Sequence, residues 1–335
     1  MIIDVHAHCF PKPYLKEIEK IGVDEGRGIG TKAPEWSGSE ERVAAMDALG
    51  IDLQVLSLAN PNVYFHDSGM SRDLAQMTNR FISEICKKHP DRFMYFASVP
   101  MNHLNYAVDE LDRVMGDPGM TGVVIGSNVN GRCLSEDPFL PVLEELDRRK
   151  IPLFLHPMRP IGQELMPPGD KKIRLPALVG YPNETTRTVA QMIFNGIFDR
   201  YKNLTFILPH LGGSVPFIYR RWEIDTLAQP DSHPMRKIAH LPSDYLKRQY
   251  YDTALSYYPS SMKCAIDLAG VDRILFGTDS PYTMTDFRAE ETIEKIGSYG
   301  FSQEEQEKIC FKNAIALFQK MKGKLSKERD KNSRK

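Results

Sequence analysis

The 335-residue sequence has no closely spaced cysteines. Its five (Cys9, Cys86, Cys133, Cys264 and Cys310) are scattered, with no CxxC pair. That pattern excludes a thiolate zinc site and a disulfide framework, and it points to a reducing compartment with free thiols. No apolar run reaches the length of a membrane span, and the first residues read as a strand rather than a signal peptide, so a cytoplasmic protein is expected. An excess of one charge is also missing. The formal net charge is −1, which gives no electrostatic reason for a nucleic acid or an anionic membrane as partner. No GxGxxG follows the first apolar run, which argues against a dinucleotide-binding sheet. What is present is ordinary globular composition, 41% hydrophobic and 26% charged, enough for a large core.

Short apolar, β-branched runs recur, each followed by a stretch of helical periodicity. IIDVHAH leads to ERVAAMDALG, LQVLSLA to SRDLAQMTNRFISEICKKH, RFMYFASVP to NYAVDELDRVMG, and GVVIG to PFLPVLEELDRRK. IPLFLHP leads to TTRTVAQMIFNGIFDRY, LTFILPH to GGSVPFIYRRWEID, YYDTAL to PSSMKCAIDLAG, and DRILFGTD to FRAEETIEKIGS. Continuous apolar strands alternating with amphipathic helices predict a parallel sheet covered by helices. Eight such units predict a (β/α)₈ barrel, with an open Rossmann-like sheet as the alternative. A single domain over residues 1–319 is expected, with excursions at about 23–40 and 157–183 that suit pocket walls or lids. Residues 320–335 form a basic, apolar-poor tail, expected to be disordered.

Active sites of such barrels lie at the C-terminal ends of the strands. Two histidines one residue apart, His6 and His8, close the first run, and side chains at i and i+2 of a strand share a face. Alone, an HxH is more often two ordinary polar residues where a strand meets a loop than half of a metal site. The other runs supply company: His156 ends the fifth, His210 the sixth and Asp279 the eighth. Of nine histidines, four fall at predicted strand ends, while His66, His89, His103, His233 and His240 fall in loops or at helix ends and read as surface residues. Imidazoles and a carboxylate converging on one face predict a site for a divalent ion, zinc foremost and manganese as the alternative. Such an ion acidifies a bound water and polarises a bound substrate oxygen. Five candidates exceed the three or four ligands of a typical catalytic zinc site, so one is expected to act as acid or base. His210 is chosen because HLGG brings flexible backbone beside it.

DVHAH, LFLHP, LPHLGG, FGTDSP and the late KNAIALF together resemble the amidohydrolase superfamily, and within it the aminocarboxymuconate-semialdehyde decarboxylase branch. The resemblance runs from His6 to about Phe318. It implies a metal-dependent (β/α)₈ barrel in which His6, His8, His156 and Asp279 bind one ion and His210 is the acid/base residue. GVVIGSNVNG lacks the lysine that bridges two metals in binuclear relatives, which implies a single ion. It further implies that Arg42 and Arg221 hold a substrate carboxylate, the second across the interface of a homodimer. Guanidinium suits that task through paired charge-assisted hydrogen bonds. Trp222 and Tyr282 are candidates for an aromatic pocket or for packing. The implied reaction is non-oxidative decarboxylation of a small carboxylated aromatic or conjugated enoic acid, with His210 or Asp279 as proton donor. Metal-assisted hydrolysis of a lactone, ester or amide, or hydration of an unsaturated acid, uses the same parts and ranks second. A non-catalytic metal binder ranks third, because it would need a broken ligand set.

Overall fold

The structure, a computed structural model, describes residues 1–22, 35–162, 165, 167–282, 288–318 and 321. Eight parallel strands follow one another around a single sheet in sequence order. They are β1 (Ile3–His8), β2 (Leu53–Ser57), β3 (Phe93–Ser98), β4 (Met120–Gly126), β5 (Leu153–His156), β6 (Phe206–Leu208), β7 (Tyr250–Asp252) and β8 (Ile274–Leu275). The sheet closes where Val5 N–H donates to Phe276 O (2.9 Å) and Asp279 N–H donates to His6 O (2.9 Å), so β8 and its continuation lie against β1. This is the (β/α)₈ barrel that the eight strand–helix units predict.

The apolar runs are buried on both faces, as parallel strands require. One set of side chains, including Val5, Val55, Phe96, Phe154 and Ile207, fills the barrel interior. Fully burying each such side chain stabilises the fold by about 1.5–3 kcal/mol. The other set packs between strands and helices. Phe318 reaches the interior cluster and lies 5.8 Å from the Phe96 ring, so the KNAIALF segment stops the N-terminal end of the barrel.

Two elements depart from the sequence reading. A helix, Lys12–Lys20, follows β1 directly and buries Tyr14, Leu15 and Ile18. Its apolar residues do recur at helical spacing, but the helix is only nine residues long and stands between β1 and a Gly-rich stretch, outside the strand-then-helix pairing. The excursion at 157–183, with no helix expected in it, is partly helical, with turns at Pro168–Lys172 and Pro176–Gly180, the latter running into the helix Tyr181–Phe194. Residues 23–34 of the first excursion and all of the expected tail except Met321 lie outside the described residues. Among the described residues no helix is long and apolar enough to cross a membrane.

Candidate metal centre

The barrel register decides where the histidines point. In β1, Asp4 pairs with Gln54 but Ala7 pairs with Leu56, so β1 carries one extra residue, a bulge. Ile3 and Val5 face the barrel interior, and strict alternation would turn His6 and His8 outward. The bulge reverses the alternation, and the His6 ring packs edge-on against interior Phe154 with centroids 4.8 Å apart. His156 is the last residue of β5. His210 and Asp279 lie just beyond β6 and β8, both in left-handed backbone (φ 54° and 65°). Non-glycine residues held there cost about 1–3 kcal/mol each, a cost that clusters at functional sites.

All five predicted residues meet. Ligand atoms of His6, His8 and His156 lie within 4.8 Å of one another, as do those of His6, His210 and Asp279. His8 Nε2 stands 3.1 Å and His6 Nε2 3.4 Å from Asp279 Oδ1. The far nitrogens are fixed from behind: His6 Nδ1 donates to Asp252 Oδ2 (3.0 Å), and His8 Nδ1 pairs with Ser57 Oγ (3.1 Å). Such outer partners set the tautomer and aim of metal-binding imidazoles.

Buried polar atoms without partners identify what the cluster is built for. His6 Nε2, His156 Nδ1 and both ring nitrogens of His210 are buried and make no hydrogen bond. Each such atom costs about 1–3 kcal/mol unless something meets it. Burial, acting first, lowers the pKa of His8 and His210 and lowers that of His156 further, so these rings are held neutral, the form that binds metals. At His6 burial opposes charge, but Asp252 and then Asp279 outweigh it and raise the pKa to about 10. Burial likewise pushes the Asp279 carboxyl up, yet the His6 and His8 imidazoles hold it well below the usual carboxylate range. Two carboxylates thus call for positive charge among neutral imidazoles. The donor set fits a divalent cation.

Above the cluster opens a cavity of about 430 Å³ lined by His156, His210 and Asp279 together with Arg174, Tyr181 and Tyr282 among others. Tyr282 therefore faces the pocket. Trp222 does not line it, and packs 6.3 Å from the Phe194 ring.

The two arginines expected to hold substrate sit elsewhere. Arg42 is buried below the cluster, where its guanidinium donates to His8 O (3.0 Å), Gln54 Oε1 (3.3 Å) and Ser280 Oγ, and it stacks on Trp36. Its donors are committed to the frame and it has no place in the cavity lining, so it ties β1, β2 and the β8 continuation together. Arg221 is exposed on the outer helix Val215–Ala228, away from this chain's own cavity.

Sequence reasoning missed Asp252. It ends β7, in YYDTAL, so the strand-end rule that found the others applies to it as well. Beneath it, Asp4 accepts from Gln54 Nε2 (2.8 Å) and Thr278 Oγ1 (2.7 Å), and burial, the dominant influence, raises its pKa to about 6.

The amidohydrolase family model matches residues 3–320. The chain belongs to this family. Among curated relatives of this amidohydrolase, 2-amino-3-carboxymuconate-6-semialdehyde decarboxylase of Dictyostelium discoideum is 29% identical over 93% of the chain and 90% of its own length. Gamma-resorcylate decarboxylase of a Polaromonas species is 30% identical over 83% of the chain and 86% of its own length. A solved 5-carboxyvanillate decarboxylase from Novosphingobium aromaticivorans, complexed with manganese and 4-hydroxy-3-methoxy-5-nitrobenzoic acid, superposes with a TM-score of 0.84 at 25% identity. That match covers 95% of this chain and 96% of the other.

Proposed function

We propose that the protein is a metal-dependent, non-oxidative decarboxylase of a small carboxylated aromatic or conjugated enoic acid, carried on one catalytic domain spanning residues 1–319. The observation that carries this reading is the cluster of buried His6, His8 and His156 with half-buried His210 and Asp279 at the floor of a cavity with aromatic walls. The decarboxylase relatives support it. His6, His8, His156 and Asp279 hold one divalent ion, zinc in the first instance or manganese. When bound, the ion polarises a substrate oxygen beside the leaving carboxylate and stabilises the charge left on carbon.

The chain's own residues do the rest. Asp252 and Ser57 keep the His6 and His8 rings aimed at the ion. Tyr181 and Tyr282 flank the ring of the substrate. As CO₂ leaves, the vacated carbon takes a proton. His210 is assigned to relay it, taking up a proton through the cavity and passing it to the carbon, since both its ring nitrogens are free of protein partners and it lines the cavity. Asp279 lines the cavity too, but its carboxylate is shared with His8.

A cytoplasmic homodimer completes the reading. Phe217 (82% exposed), Arg221 and Ile224 (63% exposed) recur at helical spacing on one face of Val215–Ala228, which suits a surface covered by a second copy. The test is CO₂ release by protein reconstituted separately with zinc and manganese, given hydroxybenzoates, carboxyvanillate-like acids and carboxymuconate semialdehydes. Metal-dependent CO₂ from any of them is expected. No CO₂, with cleavage of lactones or esters instead, would overturn the reaction and leave the metal site.

A further inference from the structure

With Arg42 committed to the frame, the cavity still holds a cation. Among the described residues lining it, Arg174 is the one lysine or arginine. No hydrogen bond or ion pair joins its guanidinium to another described residue. The other titratable side chains in that lining are His156, His210, Tyr181, Tyr282 and Asp279, so Asp279 is its one carboxylate among the described residues. An exposed guanidinium in such a wall, with no partner among the described residues, is open to an anion.

Arg174 is also held in place. Its backbone is left-handed (φ 57°), and its carbonyl accepts from both Ala177 N–H (2.9 Å) and Leu178 N–H (3.0 Å), which starts the turn Pro176–Gly180. The segment is tied down on either side. Glu184 Oε1 accepts from Ile161 N–H (3.1 Å), and Tyr181 Oη accepts from Asn60 Nδ2 (3.3 Å). Ala177, Leu178, Tyr181 and Pro182 continue the same wall, so apolar surface lies next to the cation.

We propose that Arg174 is a specificity-determining residue that binds a second, retained carboxylate of the substrate, making the preferred substrate an aromatic dicarboxylate. The inference rests on the acid-decarboxylase reading and narrows its substrate class. The group at Arg174 is the retained one for a physical reason. Decarboxylation moves negative charge off the departing carboxylate, so a guanidinium gripping that group would favour the ground state over the transition state. Held on a retained carboxylate, Arg174 contributes equally to both states, and its loss raises KM without lowering kcat.

The test titrates isophthalate and benzoate calorimetrically into the full chain loaded with zinc, as wild type, Arg174→Gln and Arg174→Lys. Wild type is expected to bind isophthalate about tenfold more tightly than benzoate, the low end for a charge-assisted pair at an exposed site. Arg174→Gln should erase that preference while leaving zinc content unchanged, and Arg174→Lys should restore part of it. Equal binding of the two acids by wild type, or a preference that survives Arg174→Gln, would overturn the proposal. Because the readout is binding, it judges Arg174 whether or not these acids release CO₂. The panel of acids above judges the reaction separately.

Discussion

Asp252 governs His6 and His210 at once. Its Oδ2 accepts from His6 Nδ1, while its Oδ1 accepts from the backbone N–H of His210 (3.0 Å) and of Ala254 (3.0 Å). One carboxylate therefore aims a metal ligand and pins the left-handed turn that presents the proposed acid. Asp252→Asn keeps the shape but removes the charge that supports His6. Metal affinity is expected to fall about 10–100-fold, as for other outer-shell partners, measured by competition with a chromogenic chelator. Unchanged affinity would mean that His6 needs no such support. Alanine at His6, His8, His156 or Asp279 should remove metal and turnover together. His210→Asn should keep the metal and abolish CO₂ release; if turnover persists, the proton comes from Asp279. Loss of metal from His210→Asn would instead make His210 a ligand, which its closeness to His6 and Asp279 allows. The ligand types were legible in the sequence because each ends an apolar run. Asp252 also ends one, but its partner His6 lies 246 positions away, and only closure of the barrel brings them together.

At the scale of elements, β1 and the continuation of β8 make the site by approaching closely. A Cβ at Gly277 would stand 2.9 Å from His6 Cβ and 3.2 Å from Asp252 Cβ, inside normal packing distance. Gly277→Ala must push β8 outward or turn His6 away from Asp252. The expected cost is about 1–3 kcal/mol of stability, typical of overpacking a filled core, read from urea unfolding. Weaker metal binding should accompany it. A variant as stable and as tightly metal-bound as wild type would show that the strands have room to spare. The β1 bulge belongs to the same scale. HxH spacing shows that His6 and His8 share a face, but not which face, because alternation from Ile3 and Val5 gives the opposite answer to the register observed. The packing of Arg42 was hidden for a related reason. A helix-borne arginine in SEERVAAMD looks free until tertiary packing buries it against His8 O.

For the whole molecule, the barrel was legible because eight buried strands leave eight apolar runs, and each run has a helix behind it. Phe318 at one end and the metal cluster at the other give the barrel a stopped floor and one working mouth. Arg221 lies outside that mouth, on a helix that also exposes Phe217, Ile224 and Leu227. Such an apolar face, with a cation in its midst, is expensive to leave in water and becomes useful if a second copy covers it. If the two copies exchange Arg221 across the interface, neither cavity is complete in a monomer. Phe217→Asp combined with Ile224→Asp places like charges against each other at a symmetric contact. Sedimentation should then report a species of half the mass. CO₂ release should collapse while metal content stays at the wild-type level, because His6, His8, His156 and Asp279 all come from one chain. A monomeric variant that keeps full activity would remove Arg221 from the substrate site and leave Arg174 as the cavity's own receptor for acid.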